Sequence, residues 1–272
     1  MRASRLSEST LRSLLATARA AVRDAGEMAR RASVRPPELR RKGPGDFFTA
    51  VDLRIEARLR RILVAAHPDH GFLGEESGAT DAEADFVWVV DPIDGTNNFG
   101  RSLRCHAVAV ACLHRGRPVA AAMSCQPEDQ IYSAARGLGA FRGRRRIRLD
   151  PRRLDDGSII GCQWHQGSKS LDFVAALVAT GARVRNFGCT VVHLCDLVMG
   201  RLDANVQQQG KIWDIAAPGL LVLEAGGRFT DWGGNPVFPV ALDGSLHHPT
   251  LAAAPPVHRV LRKALARSVS PA

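Results

Sequence analysis

Apolar residues recur along this chain with two distinct periods. From about Leu6 to Arg31, Leu11, Leu14, Leu15, Ala18, Val22, Ala25 and Met28 fall on one stripe at helical spacing. A second helix is predicted from near Asp52, with Ile55, Leu59, Ile62 and Leu63 inward and Glu56 and Arg60 as an i,i+4 ion pair. Val34 to Pro44, rich in Pro and Arg, predicts a connection with little structure of its own. The pattern then becomes strand-like. Phe86 to Val90 predicts a buried strand, because β-branched and aromatic residues suit a packed, pleated surface. Ala107 to Leu113 and Val119 to Met123, separated by Arg115-Gly-Arg-Pro118, predict a hairpin, and Ile131 to Ala134 and Gly139 to Phe141 extend the meander.

The second half alternates between the two periods. A strand is predicted near Ser158 to Cys162, a helix from Leu171 to about Thr180 stopped by Gly181, and a strand near Arg183 to Phe187. Thr190 to Met199 predicts a helix with Val191, Leu194, Cys195 and Val198 inward. The stretch from Lys211 to Gly227 predicts another, with Asp214 as its N-cap and Gly226-Gly227 at its end.

Candidate chemistry gathers where strands end. Phe86 to Val90 runs into Asp91-Pro92, which places Asp91 at the strand's end and Asp94 after a turn. Gly95 allows close backbone approach, and Thr96 adds a hydroxyl at a helix or turn start. Carboxylates crowded with a hydroxyl suit a hard, oxygen-preferring cation such as Mg²⁺. Glu75 and Glu76, adjacent acids after Gly74, can face a shared cation. Asp46 falls on a loop or short strand, and Thr49 and Asp52 read as helix-start residues. His67 and His70 read as loop residues, since His67-Pro68 interrupts any helix that would align them.

A chain of 272 residues with 45% hydrophobic residues can bury a substantial core as one domain over 1–272, with an N-terminal metal-binding half to about 150. No apolar run approaches the roughly 18 residues that span a bilayer, so no membrane partner is expected. Six cysteines without Cys-x-x-Cys spacing predict reduced thiols and a cytoplasmic location. The net charge of +10 admits nucleic acid as a partner. The arginines at 142, 144, 145, 146, 148, 152 and 153 have only Phe141 as an aromatic neighbour, which favours a solvated hairpin over a stacking platform.

Asp91-Pro-Ile-Asp94-Gly-Thr96-Asn-Asn-Phe99, Trp213-Asp214-Ile-Ala-Ala with Glu224-Ala-Gly-Gly227, Gly74-Glu75-Glu76 and Asp46-x-x-Thr49-x-x-Asp52 together resemble the inositol monophosphatase family of Mg²⁺-dependent, lithium-sensitive phosphatases. The resemblance implies a layered α+β fold, an α-β-α-β-α sandwich, commonly a homodimer. It further implies two or three Mg²⁺ ions. Glu75, Asp91 and the carbonyl of Ile93 would hold the first, and Asp91, Asp94 and Asp214 the second, with Glu75 serving a third. Thr96 paired with Asp46, together with Glu75, would orient and deprotonate the attacking water, and the Gly95 and Thr96 amides would bind phosphate. Asp94, Gly188, Cys189, Thr190 and Gln207 would face the rest of the substrate.

The resemblance also implies metal-dependent hydrolysis of a small phosphate monoester, inositol 1-phosphate by default. Histidinol phosphate and fructose 1,6-bisphosphate are the alternative substrates, and an RNA- or transcription-associated binding role is the alternative of another class. Gln207 stands where inositol phosphatases carry a Glu, and Gly188-Cys-Thr-Val191 is bulkier than the family's small-residue stretch. Lys211 would suit an extra anionic group on the substrate.

Overall fold

Helix α1 (Glu8–Ala32) opens the chain in a computed structural model that describes residues 6–35, 37–43, 46–126, 128, 130–164 and 170–268, with only the backbone of 46, 267 and 268. Its apolar stripe is buried as the periodicity predicts. The helix begins after Ser7, whose Oγ accepts the Thr10 N–H at 3.1 Å. The expected structureless connection instead holds β1 (Arg40–Gly43), which pairs antiparallel with β2 (Asp46–Phe48). Thr49 then caps α2 (Ala50–Ala66), and Asp52 returns the bond by accepting the Thr49 N–H at 2.9 Å.

Strands β3 (Gly71–Gly74), β4 (Gly78–Thr80) and β5 (Phe86–Asp94) follow, then the short helix α3 (Thr96–Gly100). Strands β6 (His106–His114) and β7 (Arg117–Gln126) form the predicted hairpin. Its tip, Arg115-Gly116, has φ of 51° and 72°, the left-handed pair that matches strand twist. Strands β8 (Gln130–Ala135), β9 (Gly139–Arg142) and β10 (Arg145–Ile147) complete the meander. The second half contains β11 (Ile159–Gln163), α4 (Asp172–Val178), β12 (Arg183–Arg185), α5 (Thr190–Val198) and β13 (Ala204–Gly210). It ends with α6 (Ile212–Glu224), β14 (Arg228–Thr230), β15 (His248–Ala253) and α7 (Pro255–Ser268).

The strands form an eight-stranded sheet, ordered β10-β9-β8-β7-β6-β5-β3-β4, and a five-stranded sheet, ordered β12-β11-β13-β15-β14. Three cores fix the layers. Leu14, Val22, Ile55 and Leu59 of α1 and α2 pack on one face of the larger sheet, against Trp88, Val90 and Val110. Its other face, with Val87, Val89 and Ala109, packs on Leu194, Ile215 and Leu221 of α5 and α6. Ile160, Val206 and Leu251 on the outer face of the smaller sheet pack on Phe173 of α4 and Leu261 of α7. The result is the α-β-α-β-α sandwich. The arginines of β9 and β10 lie at an edge of the larger sheet, where charge discourages pairing with another chain.

Candidate active site

Strand β5 does not end at Asp91, as the Asp-Pro step predicts, but continues to Asp94 through a bulge. Asp91 pairs with Ala109 and Asp94 with Ala107, so three steps on β5 oppose two on β6. On a regular strand, residues three apart point to opposite faces. The extra residue reverses that, and both carboxylates join Ala107 and Ala109 on the face that meets α5 and α6. Asp94 Oδ2 accepts the Val191 N–H at 2.6 Å from the first turn of α5, and lies 3.0 Å from the Cys189 thiol.

Gly95 has φ of 85°, and a Cβ there would stand 2.8 Å from the Cys105 carbonyl oxygen, so conformation and space both demand glycine. Thr96 Oγ1 lies 2.8 Å from the Ile93 carbonyl and 3.2 Å from Asp52 Oδ1. Asp46 is the partner expected for Thr96, and Asp52 is the acid that the described side chains place beside it. The backbone of Asp46 is in β2, and its side chain lies outside the described residues. The Ile93 carbonyl, expected to ligate metal, accepts the Thr96 hydroxyl and keeps a second lone pair.

Glu75 and Glu76 follow β3, and Lys42 of β1 bridges them, at 3.4 Å from Glu75 Oε1 and in close contact with Glu76 Oε1. Asp214 proves to be the third residue of α6 and not its N-cap: Lys211 caps, and Asp214 Oδ2 accepts the Lys211 N–H at 2.9 Å. Lys211 Nζ lies over the Trp213 ring, 5.2 Å from its centre.

The expected substrate-facing residues divide. Gly188 is exposed, while Cys189 is buried with its thiol turned to Asp94. The Thr190 hydroxyl donates to Gln163 Oε1 at 2.8 Å. Gln207 is buried on β13, and its Oε1 has no hydrogen-bond partner. Asn98, inside the first signature string but given no role from sequence, ties α3 to the loop before α5 by donating to the Cys105 carbonyl at 2.8 Å and the Phe187 carbonyl at 2.6 Å.

The electrostatics show how strongly these acids act on one another. Burial, and then the charges of Glu75, Asp94, Asp214 and Asp52, push the Asp91 carboxyl well above the usual carboxylate range. Burial raises Asp94 to about 6, even though backbone N–H groups from Val191, Thr190 and Gly95 favour its charged form. Asp214 is raised well above its ordinary value by burial and by Asp94 and Glu75, with Lys211 opposing. Asp91 Oδ1 is buried without any hydrogen-bond partner. Among the described residues no group of three or more His, Cys, Asp or Glu side chains is placed to hold a metal ion as it stands, and Asp94 and Asp214 each have one oxygen engaged by a backbone N–H. The donor set nevertheless fits a hard divalent ion. It consists of oxygens from β5, α6 and the turn after β3 whose charges act on one another, with Asp91 Oδ1 left without a hydrogen-bond partner.

The profile of the inositol monophosphatase family matches residues 10–271. The inositol-1-monophosphatase of Mesorhizobium japonicum is 35% identical over 201 residues, covering 71% of this chain and 75% of that protein. The Nus factor SuhB of Pseudomonas aeruginosa is 33% identical over 230 residues, covering 80% and 85%. Among solved structures, the extragenic suppressor protein SuhB of Bartonella henselae superposes with a TM-score of 0.85 at 28% identity, covering 93% of this chain and 98% of that one. With the fold, the acid cluster and these matches in agreement, the chain belongs to the inositol monophosphatase family and is a phosphatase-type hydrolase.

Proposed function

We propose that this protein hydrolyses a small phosphate monoester of the inositol 1-phosphate class with Mg²⁺, and that it works as a homodimer, as the family resemblance implies. The observation that carries the reading is the orphaned Oδ1 of Asp91 amid Glu75, Asp94 and Asp214. Asp91, Asp94, Asp214, Glu75 and the Ile93 carbonyl would hold two or three ions. Bound Mg²⁺ supplies charge neutralisation for the phosphoryl group and acidifies water.

The protein's own groups do the rest. The Thr96 proton is directed to the Ile93 carbonyl and Asp52, which leaves the lone pairs of Oγ1 to accept a proton from water. Burial raises Asp52 above the usual carboxylate range, so it is a competent acceptor for a proton passed through Thr96. The amides at the start of α3 would meet the phosphate, with Gly95 keeping side chains out of the way. Gln207, with an acceptor oxygen unfilled, would meet a substrate hydroxyl once the pocket admits one.

The test is phosphate release from inositol 1-phosphate, histidinol phosphate, fructose 1,6-bisphosphate and phosphoadenosine phosphate, each with and without Mg²⁺. Turnover of inositol 1-phosphate above the others supports the reading. No turnover of any of them overturns it.

A second reading, association with RNA during transcription, draws on the name of the Pseudomonas aeruginosa relative and on the exposed Arg144, Arg145 and Arg146 at the sheet edge. Replacing these three with Gln should then weaken RNA binding and flatten its salt dependence. Unchanged affinity removes that reading.

A further inference from the structure

Helix α2 carries a second buried acid one turn beyond Asp52. The predicted Glu56–Arg60 pair does not form. Arg60 donates to Thr80 Oγ1 at 3.0 Å and lies over the Phe72 ring, while Glu56, only 3% exposed, faces the interior. A buried carboxylate is costly unless its oxygens are hydrogen-bonded. Glu56 Oε2 accepts the Glu76 N–H and Oε1 accepts the Ser77 N–H, both at 2.8 Å. One carboxylate thus grips two consecutive amides, which fixes the peptide between them in position and tilt.

Gly74 makes the approach available. A Cβ on residue 74 would stand 2.5 Å from the Glu56 carboxyl carbon and 2.5 Å and 2.6 Å from its oxygens. The glycine is therefore required by space, its backbone being in the ordinary region of β3. Among the described residues Glu56 is in no ion pair, so backbone dipoles alone meet its charge. The residue between Gly74 and the first gripped amide is Glu75.

We propose that Glu56 is a positioning residue for the cation site: its carboxylate, reaching past Gly74 to the Glu76 and Ser77 amides, fixes where Glu75 presents its own carboxylate. This rests on the Mg²⁺ reading above. One face of α2 then serves the site twice, through Asp52 on Thr96 and through Glu56 on the acidic turn.

The test is titration of the full chain with Mn²⁺, following the free-ion signal by electron paramagnetic resonance, for the wild type, Glu56→Gln, Gly74→Ala and Asp91→Asn. Glutamine keeps the volume but sets an N–H₂ against one of the two amides. Near-UV circular dichroism checks that each variant keeps its packing, a readout that a purely structural role would move and a positioning role would not. We expect Glu56→Gln to keep the wild-type spectrum and bind Mn²⁺ about 10-fold or more weakly, as for other groups that orient metal ligands. Gly74→Ala should weaken binding in the same direction, and it carries the test should Glu56→Gln unfold. Wild-type affinity in both variants overturns the positioning role while leaving the metal reading intact, provided Asp91→Asn loses binding. No Mn²⁺ binding by the wild type overturns the metal reading and this inference with it.

Discussion

Asp94 Oδ2 accepts the Val191 N–H at 2.6 Å, joining the end of β5 to the first turn of α5 across the middle of the sandwich. The larger sheet thereby delivers a carboxylate to a helix whose own N-terminus favours negative charge. That support is incomplete, since burial still raises Asp94 to about 6.

The sign of this shift sets the first prediction. A carboxyl whose folded pKa is raised binds protons more tightly when folded, so its contribution to stability declines as pH rises from about 4 to about 6. Asp94→Asn removes that decline. In metal-free protein the variant should match the wild type near pH 4 and melt a few degrees higher at pH 7, while binding Mg²⁺ far more weakly. Thermal unfolding at both pH values, with and without Mg²⁺, reads the difference. A variant that melts lower than the wild type at pH 7 without metal contradicts the account.

Histidines act in the opposite direction. Burial holds His193 at about 4, and its Nε2 accepts the Phe187 N–H at 3.0 Å, which requires the neutral ring. Its folded pKa lies below the unfolded value near 6.5, so stability falls as pH drops from about 6.5 toward 4. His193→Leu should cost about 1–3 kcal/mol at pH 7 by orphaning the Phe187 amide. It should also reduce the acid sensitivity, measured as the slope of urea-unfolding stability against pH. An unchanged slope would remove His193 from the acid response.

The hydroxyl relay separates two assignments. If Asp52 is the partner of Thr96, Asp52→Asn and Thr96→Ala should each lower kcat by about 10²–10⁴-fold and leave Mn²⁺ affinity within a few-fold of wild type. Asp46→Asn should leave kcat near the wild-type value. The reverse ranking, with Asp46→Asn the more damaging, would return the relay to Asp46.

Why Asp52 is not read from sequence as a neighbour of Thr96 is a matter of range. Asp91, Asp94, Thr96 and Asp214 were legible because each motif is a contiguous string whose chemistry is local. Asp52 reads locally as a helix-capping residue, and it is one. Its second oxygen reaches Thr96, 44 positions away, which no periodicity reports. The bulge in β5 was hidden because Asp-Pro is a strong stop signal, and only pairing with β6 shows the strand continuing. Strand β13 was missed because Gln207 to Gln209 lacks strand-like composition, although burial between β11 and β15 makes it central to the smaller sheet. Glu56 read as one half of an i,i+4 pair with Arg60, and only packing against Gly74 reveals its burial. The layered fold itself was legible through the resemblance carried by the motifs, and the three cores show why it holds.

The most direct measurement is phosphate release from inositol 1-phosphate across a Mg²⁺ titration, for the wild type beside Asp91→Asn. Asp91 is the acid on which the charges of Glu75, Asp94 and Asp214 converge, and the one with an orphaned oxygen. The account predicts saturable Mg²⁺ dependence in the wild type and a loss of about 10²–10³-fold or more in the variant, which should stay folded. Release that ignores Mg²⁺, or an Asp91→Asn protein as fast as the wild type, would contradict it.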